Sequence, residues 1–347
     1  MKSNILIVIS TNTYFPELFK ASLVLKESKI YTPIVLFSGY YPTIVRDINL
    51  CLEENLITLD DCGNRIIKRE KSTSIVSHML GDILPIQVFN LLKRINFARR
   101  VITNNDIKIV VLGGDLVHYD ASCYINAAHK QKIAAVIIPC TMSNALEMAE
   151  SYSPIEKYSM KKLFNRVIGK IFSEWAYSYK GKDLIRLPAG QVLALKILGL
   201  SPPHPWINNS GYADYILAES KAMIEYYMQG GIPRNQIALT GSISHDILAK
   251  GLKDAKKKKR ELYFRLKLPL NKPLILTALP PDQLYMVGGR PKCVFKTYIE
   301  LVEYWVRTLV DIKKSNIIVN LHPSVSAEEY KYLEKFGIKL CSDDIAK

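Results

Sequence analysis

Acidic residues are scarce beside basic ones. In 347 residues, 32 Asp and Glu stand against 47 Lys and Arg, a formal net charge of +15. Such an excess calls for an anionic partner: nucleic acid, a membrane surface or a phosphorylated ligand. A nucleic-acid module is missing too, with no zinc-finger spacing, arginine-rich arm or RNP-like aromatic motif. The expectation is therefore no nucleic acid, and a phosphorylated ligand or an anionic membrane surface instead. None of the six cysteines (Cys51, Cys62, Cys123, Cys140, Cys293, Cys341) stands in a C-x-x-C pair. Several lie in apolar segments, which predicts reduced buried thiols and no metal. No run approaches the ~20 apolar residues of a membrane-spanning helix, and the apolar stretch 5–9 is too short for a signal peptide. The expected location is the cytoplasm, with the inner membrane face as the surface for any peripheral association.

What is present is 48% hydrophobic and 23% charged, as in an ordinary globular protein long enough for two domains. The stretch 107–139 organises it. Residues 107–112, I-K-I-V-V-L, are rich in β-branched side chains, as expected of a strand covered on both faces. Gly113-Gly114-Asp115 breaks the run. Val117, Ala121, Tyr124, Ile125 and Ala128 then recur at helical spacing, and 133–138 is a second buried-type strand. Strand, glycine turn, helix, strand is a βαβ unit of a parallel sheet. Ligands of such sheets sit beyond the strands' carboxyl ends, where Gly113, Gly114 and Asp115 fall.

Upstream, 4–10 reads as the first strand, followed by the small polar loop Ser10-Thr11-Asn12-Thr13, a helix from Phe15, and a strand at 33–38. The loop either faces a ligand or starts the helix with Thr or Asn as N-cap. A helix is expected at about 84–99. The stretch 155–186 shows no parallel-strand signal and carries Lys157, Lys161, Lys162, Arg166, Lys170, Lys180, Lys182 and Arg186 against Glu156, Glu174 and Asp183. Leu163, Val167, Ile168, Ile171, Phe172 and Trp175 share one helical face. Such a helix either lies in a membrane interface or docks its apolar side on its own domain. A rigid proline loop, 199–206, follows.

Strands at 213–218 and 236–240 flank a helix at 220–229 and end in Gly241-Ser242. A lysine run at 254–260 and the proline-bracketed turn at 269–273 place a domain boundary near 268. The first domain is 1–268 with a basic helical insert at about 152–210, and the second is 269–347. The second shows strands at 274–278, 316–321 and 338–341 with two helices. That is too small a parallel sheet to cover both its faces, so the chain is expected to lack the C-terminal part of this domain.

The candidate chemistry sits at strand ends. Asp115 is either a general base for a hydroxyl or the cap of the next helix, with His118 as alternate or partner. Ser242 and His245 either line the cleft or sit on a helix. Gly288-Gly289-Arg290 has the glycines and cation of a phosphate-binding turn, or is a plain glycine loop. His322-Pro323 ends a strand, where the proline leaves the imidazole at the sheet's carboxyl edge.

Three stretches resemble a known group. V-V-L-G-G-D followed by A-A-V-I-I-P, A-D-Y-I-L-A-E-S followed by G-G-I-P-R-N-Q-I-A-L-T-G-S-I-S-H-D, and I-I-V-N-L-H-P look like segments of GT-B proteins that use nucleotide sugars. The group includes capsule and lipopolysaccharide glycosyltransferases, CDP-glycerol transferase-like proteins and UDP-N-acetylglucosamine 2-epimerases. The resemblance implies an α/β chain of two Rossmann-like parallel-sheet domains facing a cleft, with acceptor on the first and donor on the second. It also implies phosphate contact by His322, and a nucleotide-sugar co-substrate with no cofactor and no metal. A saccharide or lipid-linked acceptor would be the second substrate. Epimerases carry a His-Arg pair after the first strand of the second domain; this chain has Thr277-Ala278-Leu279-Pro280 there. That departure favours transfer over epimerisation, while a non-catalytic sugar-nucleotide-binding protein is the third reading.

Overall fold

The computed structural model describes residues 2–39, 41–60, 84–117, 120–280, 294–321 and 326–341. In the first unit the strands are β1 (Ser3–Ile9), β2 (Tyr31–Phe37), β3 (Ile57–Asp60), β4 (Ile107–Leu112), β5 (Ala134–Ile137), β6 (Ala176–Tyr179), β7 (Lys182–Ile185), β8 (Tyr215–Ala218) and β9 (Ile237–Leu239). Its helices are α1 (Phe15–Glu27), α2 (Ile44–Glu53), α3 (Leu84–Asn104), α4 (Ala121–Lys130), α5 (Ala145–Tyr152), α6 (Leu163–Ile171), α7 (Ala189–Ile197) and α8 (Lys221–Gln229), and α9 (Ile243–Gly251) begins in it and runs into the second unit.

Seven strands form one parallel sheet in the order β3-β2-β1-β4-β5-β8-β9. The apolar runs are continuous because both faces are covered. Alternation then sorts them: Leu6, Val8, Ile34 and Leu36 face one core with Ala98, Ile102, Tyr124 and Tyr227 from α3, α4 and α8. Ile5, Ile7, Ile9, Val35 and Phe37 face the other with Phe15, Leu18, Ile44 and Cys51 from α1 and α2. Register pairs Ile9 with Phe37, Val8 with Leu112, and Leu112 with Ile137, so the loops after β1, β2, β4 and β5 emerge side by side. Helix starts follow local chemistry. Asn144 and Glu147 form a capping box on α5, each side chain accepting the other's backbone N–H, at 2.9 and 3.0 Å.

Residues 152–210 are not helical throughout. β6 and β7 form an antiparallel hairpin whose turn residues, Lys180 and Gly181, have φ of +47° and +73°, the geometry two-residue hairpins require. Trp175 is fully buried with Ile168, Ile185, Leu187 and Val192, beside Ile95 of α3 and Cys123 of α4. Arg186 is buried as well. Its Nε donates to the Pro205 carbonyl (3.1 Å), its guanidinium lies 4.5 Å from the Tyr152 ring, and burial lowers its pKa. The face drawn from sequence therefore splits. Ile168 and Trp175 point inward, Leu163, Val167 and Ile171 point to solvent, and Arg186 leaves the solvated cations.

The second compact unit runs over 246–347 and the first over 1–245, whereas the sequence places the boundary at 268. The lysine-rich helix α10 (Ala255–Arg265) explains the difference. Its one buried side chain, Tyr263, donates to the Lys272 carbonyl (3.0 Å), and Asn316 donates to the Pro269 carbonyl (2.8 Å). Both bonds tie α10 and its turn to β10 (Leu274–Ala278) and β11 (Asn316–Asn320). With β12 (Lys339–Cys341) these form a parallel sheet in the order β10-β11-β12. Val302 and Val306 of α11 (Tyr298–Lys313) pack on Ile317 and Val319, and Thr297 and Glu300 cap that helix with a second capping box.

These placements make a paired prediction. Trp175→Ala removes a fully buried indole and should lower stability by about 3–5 kcal/mol, whereas Phe164→Ala, on the exposed side of α6, should stay within about 0.5 kcal/mol. Urea-unfolding midpoints of the two variants read the contrast.

Candidate functional site

The chain leaves β1 toward β2 over one face of the sheet and leaves β4 toward β5 over the other. Adjacent strands whose connections diverge in this way open a crevice at their carboxyl ends. Ser10-Thr11-Asn12 follows β1 and Gly113-Gly114-Asp115 follows β4, its neighbour in the sheet.

The two glycines are needed because Tyr14 lies on them. A Cβ on Gly113 would come within 2.6 Å of Tyr14 Cγ, and one on Gly114 within 2.8 Å of its Oη and 3.2 Å of Asn209 Oδ1. Tyr14 also holds the N-cap position of α1, without a side-chain cap bond. The N-capping alternative for Thr11 or Asn12 is therefore corrected. Thr11 and Asn12 instead accept the backbone N–H groups of Tyr14 and Phe15 with their carbonyls, at 3.1 and 3.3 Å. That turn leaves Asn12 and Thr13 exposed.

Asp115 is 3% exposed. Its Oδ1 accepts the Ser210 backbone N–H and its Oδ2 the Ser210 hydroxyl, both at 2.7 Å. Burial pushes the carboxyl above the ordinary carboxylate range, against the opposing pull of these bonds. It does not cap α4 either: that N-cap position belongs to Asp120, which pairs with Arg94. General-base work by Asp115 would require the Ser210 pair to open.

The partner segment is Asn208-Asn209-Ser210, which the sequence reading missed. All three side chains are buried. Asn209 takes φ +59° and donates through Nδ2 to Tyr227 Oη (2.6 Å) and the Thr141 carbonyl (3.3 Å). Asn208 Nδ2 donates to Thr141 Oγ1 (3.1 Å), and its backbone N–H to the Ser143 carbonyl (3.1 Å). The side-chain oxygens of Asn208 and Asn209 are buried with no hydrogen-bond partner among the described residues. The one signal for this segment was N-N-S-G after a proline loop, a polar turn with nothing to say it is interior. Cys140 closes the floor, its N–H on the Gly113 carbonyl (3.0 Å) and its thiol pushed up to about 12 by burial.

Ser242 is half-buried and His245 exposed. Between them Ser244 accepts from Lys20 Nζ (2.7 Å) and donates to Glu17 of α1, fastening the start of α9 near the β1 loop. His118, His322, Pro323, Gly288, Gly289 and Arg290 lie outside the described residues. Among the described residues no group of three or more His, Cys, Asp or Glu side chains could hold a metal ion, and no helix is long and apolar enough to cross a membrane.

No protein-family model matches the sequence, and no curated protein sequence matches it. Solved structures do match the fold. The UDP-GlcNAc 2-epimerase of Neisseria meningitidis, solved with UDP-GlcNAc bound, superposes with a TM-score of 0.51 over 98% of this chain and 72% of its own, at 15% identity. The Methanocaldococcus jannaschii UDP-GlcNAc 2-epimerase gives 0.47 at 15% identity, over 99% of this chain and 74% of its own. The wall teichoic acid polymerase TagF gives 0.44 at 11%, over 99% of this chain and 61% of its own. The chain shares with the Neisseria meningitidis enzyme an α/β fold, built here on a large parallel sheet and a second, smaller one.

Two substitutions test the crevice. Gly114→Ala forces its new methyl against Tyr14 and Asn209 and should destabilise by about 1–3 kcal/mol, read by chemical denaturation. Asp115→Asn removes a carboxyl whose folded pKa is raised. The wild type therefore draws stability from it at pH below the ordinary carboxylate value and loses that as pH climbs through the raised value. The stability difference should shift in the variant's favour as pH rises, measured as urea midpoints across a pH series.

Proposed function

We propose that this chain is a cytoplasmic GT-B glycosyltransferase, moving a sugar or related group from a nucleotide-activated donor to a cell-surface polysaccharide or lipid-linked acceptor. The nucleotide sugar is supported by the fold it shares with a UDP-GlcNAc-bound enzyme. The observation that carries transfer over epimerisation is the end of β10. Thr277 and Ala278 close that strand, Thr277 Oγ1 accepts from Trp305 Nε1 (3.3 Å), and Leu279 and Pro280 follow. The sequence at that strand end, Thr277-Ala278-Leu279-Pro280, carries neither member of the His-Arg pair of epimerases.

In this reading the polar loop Ser10-Thr11-Asn12 meets the acceptor, with Ser242 and His245 as further contacts. His322, Pro323 and the turn Gly288-Gly289-Arg290 hold the donor diphosphate, and fixed dipoles and cations stabilise the leaving group without a metal. Ser210 occupies both oxygens of Asp115, so His118 takes the general-base role and Asp115 holds the crevice in shape.

Incubation of the protein with labelled nucleotide sugars, with and without saccharide and lipid-linked acceptors, tests this. Transfer requires that nucleoside diphosphate be released only when acceptor is present. Epimer or free diphosphate from UDP-N-acetylglucosamine alone would establish the isomerase or hydrolase instead, and binding without turnover a non-catalytic role. His322→Ala should weaken donor binding at least tenfold, about 1.4 kcal/mol, by isothermal titration calorimetry.

A further inference from the structure

The insert helix α6 is held with its apolar side outward. Leu163 is 68% exposed, Phe164 79%, Val167 45% and Ile171 63%. At about 100° per residue these four cover roughly a 100° arc. Asn165, Ile168 and Gly169 make up the buried side, and Arg166 and Lys170 flank the arc.

This orientation is built in. Asn165 Nδ2 donates to the carbonyls of Lys157 (2.9 Å) and Ser159 (3.1 Å), and its Oδ1 accepts the Ala189 N–H (3.0 Å). Gly169 lies so close to Met160 that a Cβ there would come within 2.8 Å of its terminal methyl. Trp175, just beyond the helix, completes the anchor beneath it. A buried asparagine with three hydrogen bonds fixes which side of the helix faces the protein, so the four apolar side chains stay in water unless something covers them.

Charge identifies the cover. Between 157 and 171 stand Lys157, Lys161, Lys162, Arg166 and Lys170, with no acidic residue. All five are exposed. We propose that this face docks on a lipid bilayer bearing anionic headgroups, Leu163, Phe164, Val167 and Ile171 entering the headgroup–acyl boundary while Lys161, Lys162, Arg166 and Lys170 meet the phosphates. The helix is about 14 Å long, enough for interfacial contact and too short to span. Its aliphatic cation stems extend the apolar contact while the charges stay at headgroup level. A second copy of the chain fits the face poorly, because a two-fold contact would oppose five cations to five.

Co-sedimentation of the full chain with vesicles tests the surface without any donor nucleotide, so its failure and that of the transfer reaction are separable. Binding is expected to vesicles of phosphatidylcholine with phosphatidylglycerol, much weaker to phosphatidylcholine alone, and to fall with added salt. Lys161→Gln with Lys162→Gln should weaken it on the order of tenfold, and Phe164→Asp should abolish sedimentation. All three residues are exposed, and circular dichroism confirms the variants' fold. Absence of binding to either vesicle, equal binding to both, or binding that these variants leave unchanged would overturn the proposal. So would a wild-type dimer, seen by light scattering, that Phe164→Asp dissociates.

Discussion

The carboxyl edge of the large sheet depends on one buried contact, the carboxylate of Asp115 closed on both oxygens by Ser210. A buried carboxylate with an open oxygen would be costly, and a loop with buried amides needs acceptors. Each side satisfies the other. The contact brings a segment 95 residues downstream against the glycine turn. There Asn209 reaches Tyr227 and Thr141, and Tyr14 rests on the space that the absent glycine side chains leave. The loops after β1, β4 and β5 are thereby locked to the 208–210 segment. Ahead of it, Ser10 and Thr11 are half-buried and Asn12 exposed.

The insert follows a different logic. Its apolar residues divide between an inner set around Trp175 and an outer set on α6, and a single asparagine decides which is which. The same segment so contributes a local core and a contact surface. The lysines of α10, in contrast, belong to a helix whose one inward side chain is Tyr263, and a solvated face accounts for them.

Much of this was legible beforehand. The β-branched runs at 4–10, 33–38, 107–112 and 133–138 became parallel strands because continuous apolarity reports burial on two faces, which few other structures produce. The glycine turn was found, but its reason was not. Sequence placed it at the strand's carboxyl end, where ligands of such sheets sit, and the structure packs Tyr14 against it. Asn208, Asn209 and Ser210 were invisible because polar residues in a turn read as exposed, and only a partner distant in the chain turns them inward. The periodicity of α6 was equally visible, yet periodicity cannot say which arc is covered. The domain boundary moved because a lysine run resembles a linker until one tyrosine ties it down.

The backbone at Asn209 has a consequence for how this lineage varies. A left-handed residue there admits glycine, asparagine or aspartate, and the amide donated to Tyr227 and Thr141 removes two of the three. A Cβ on Gly114 would meet both Tyr14 and that asparagine. Distant kin should therefore keep or exchange positions 14, 114, 209 and 227 as a set, a fingerprint by which this crevice can be traced where overall resemblance has faded.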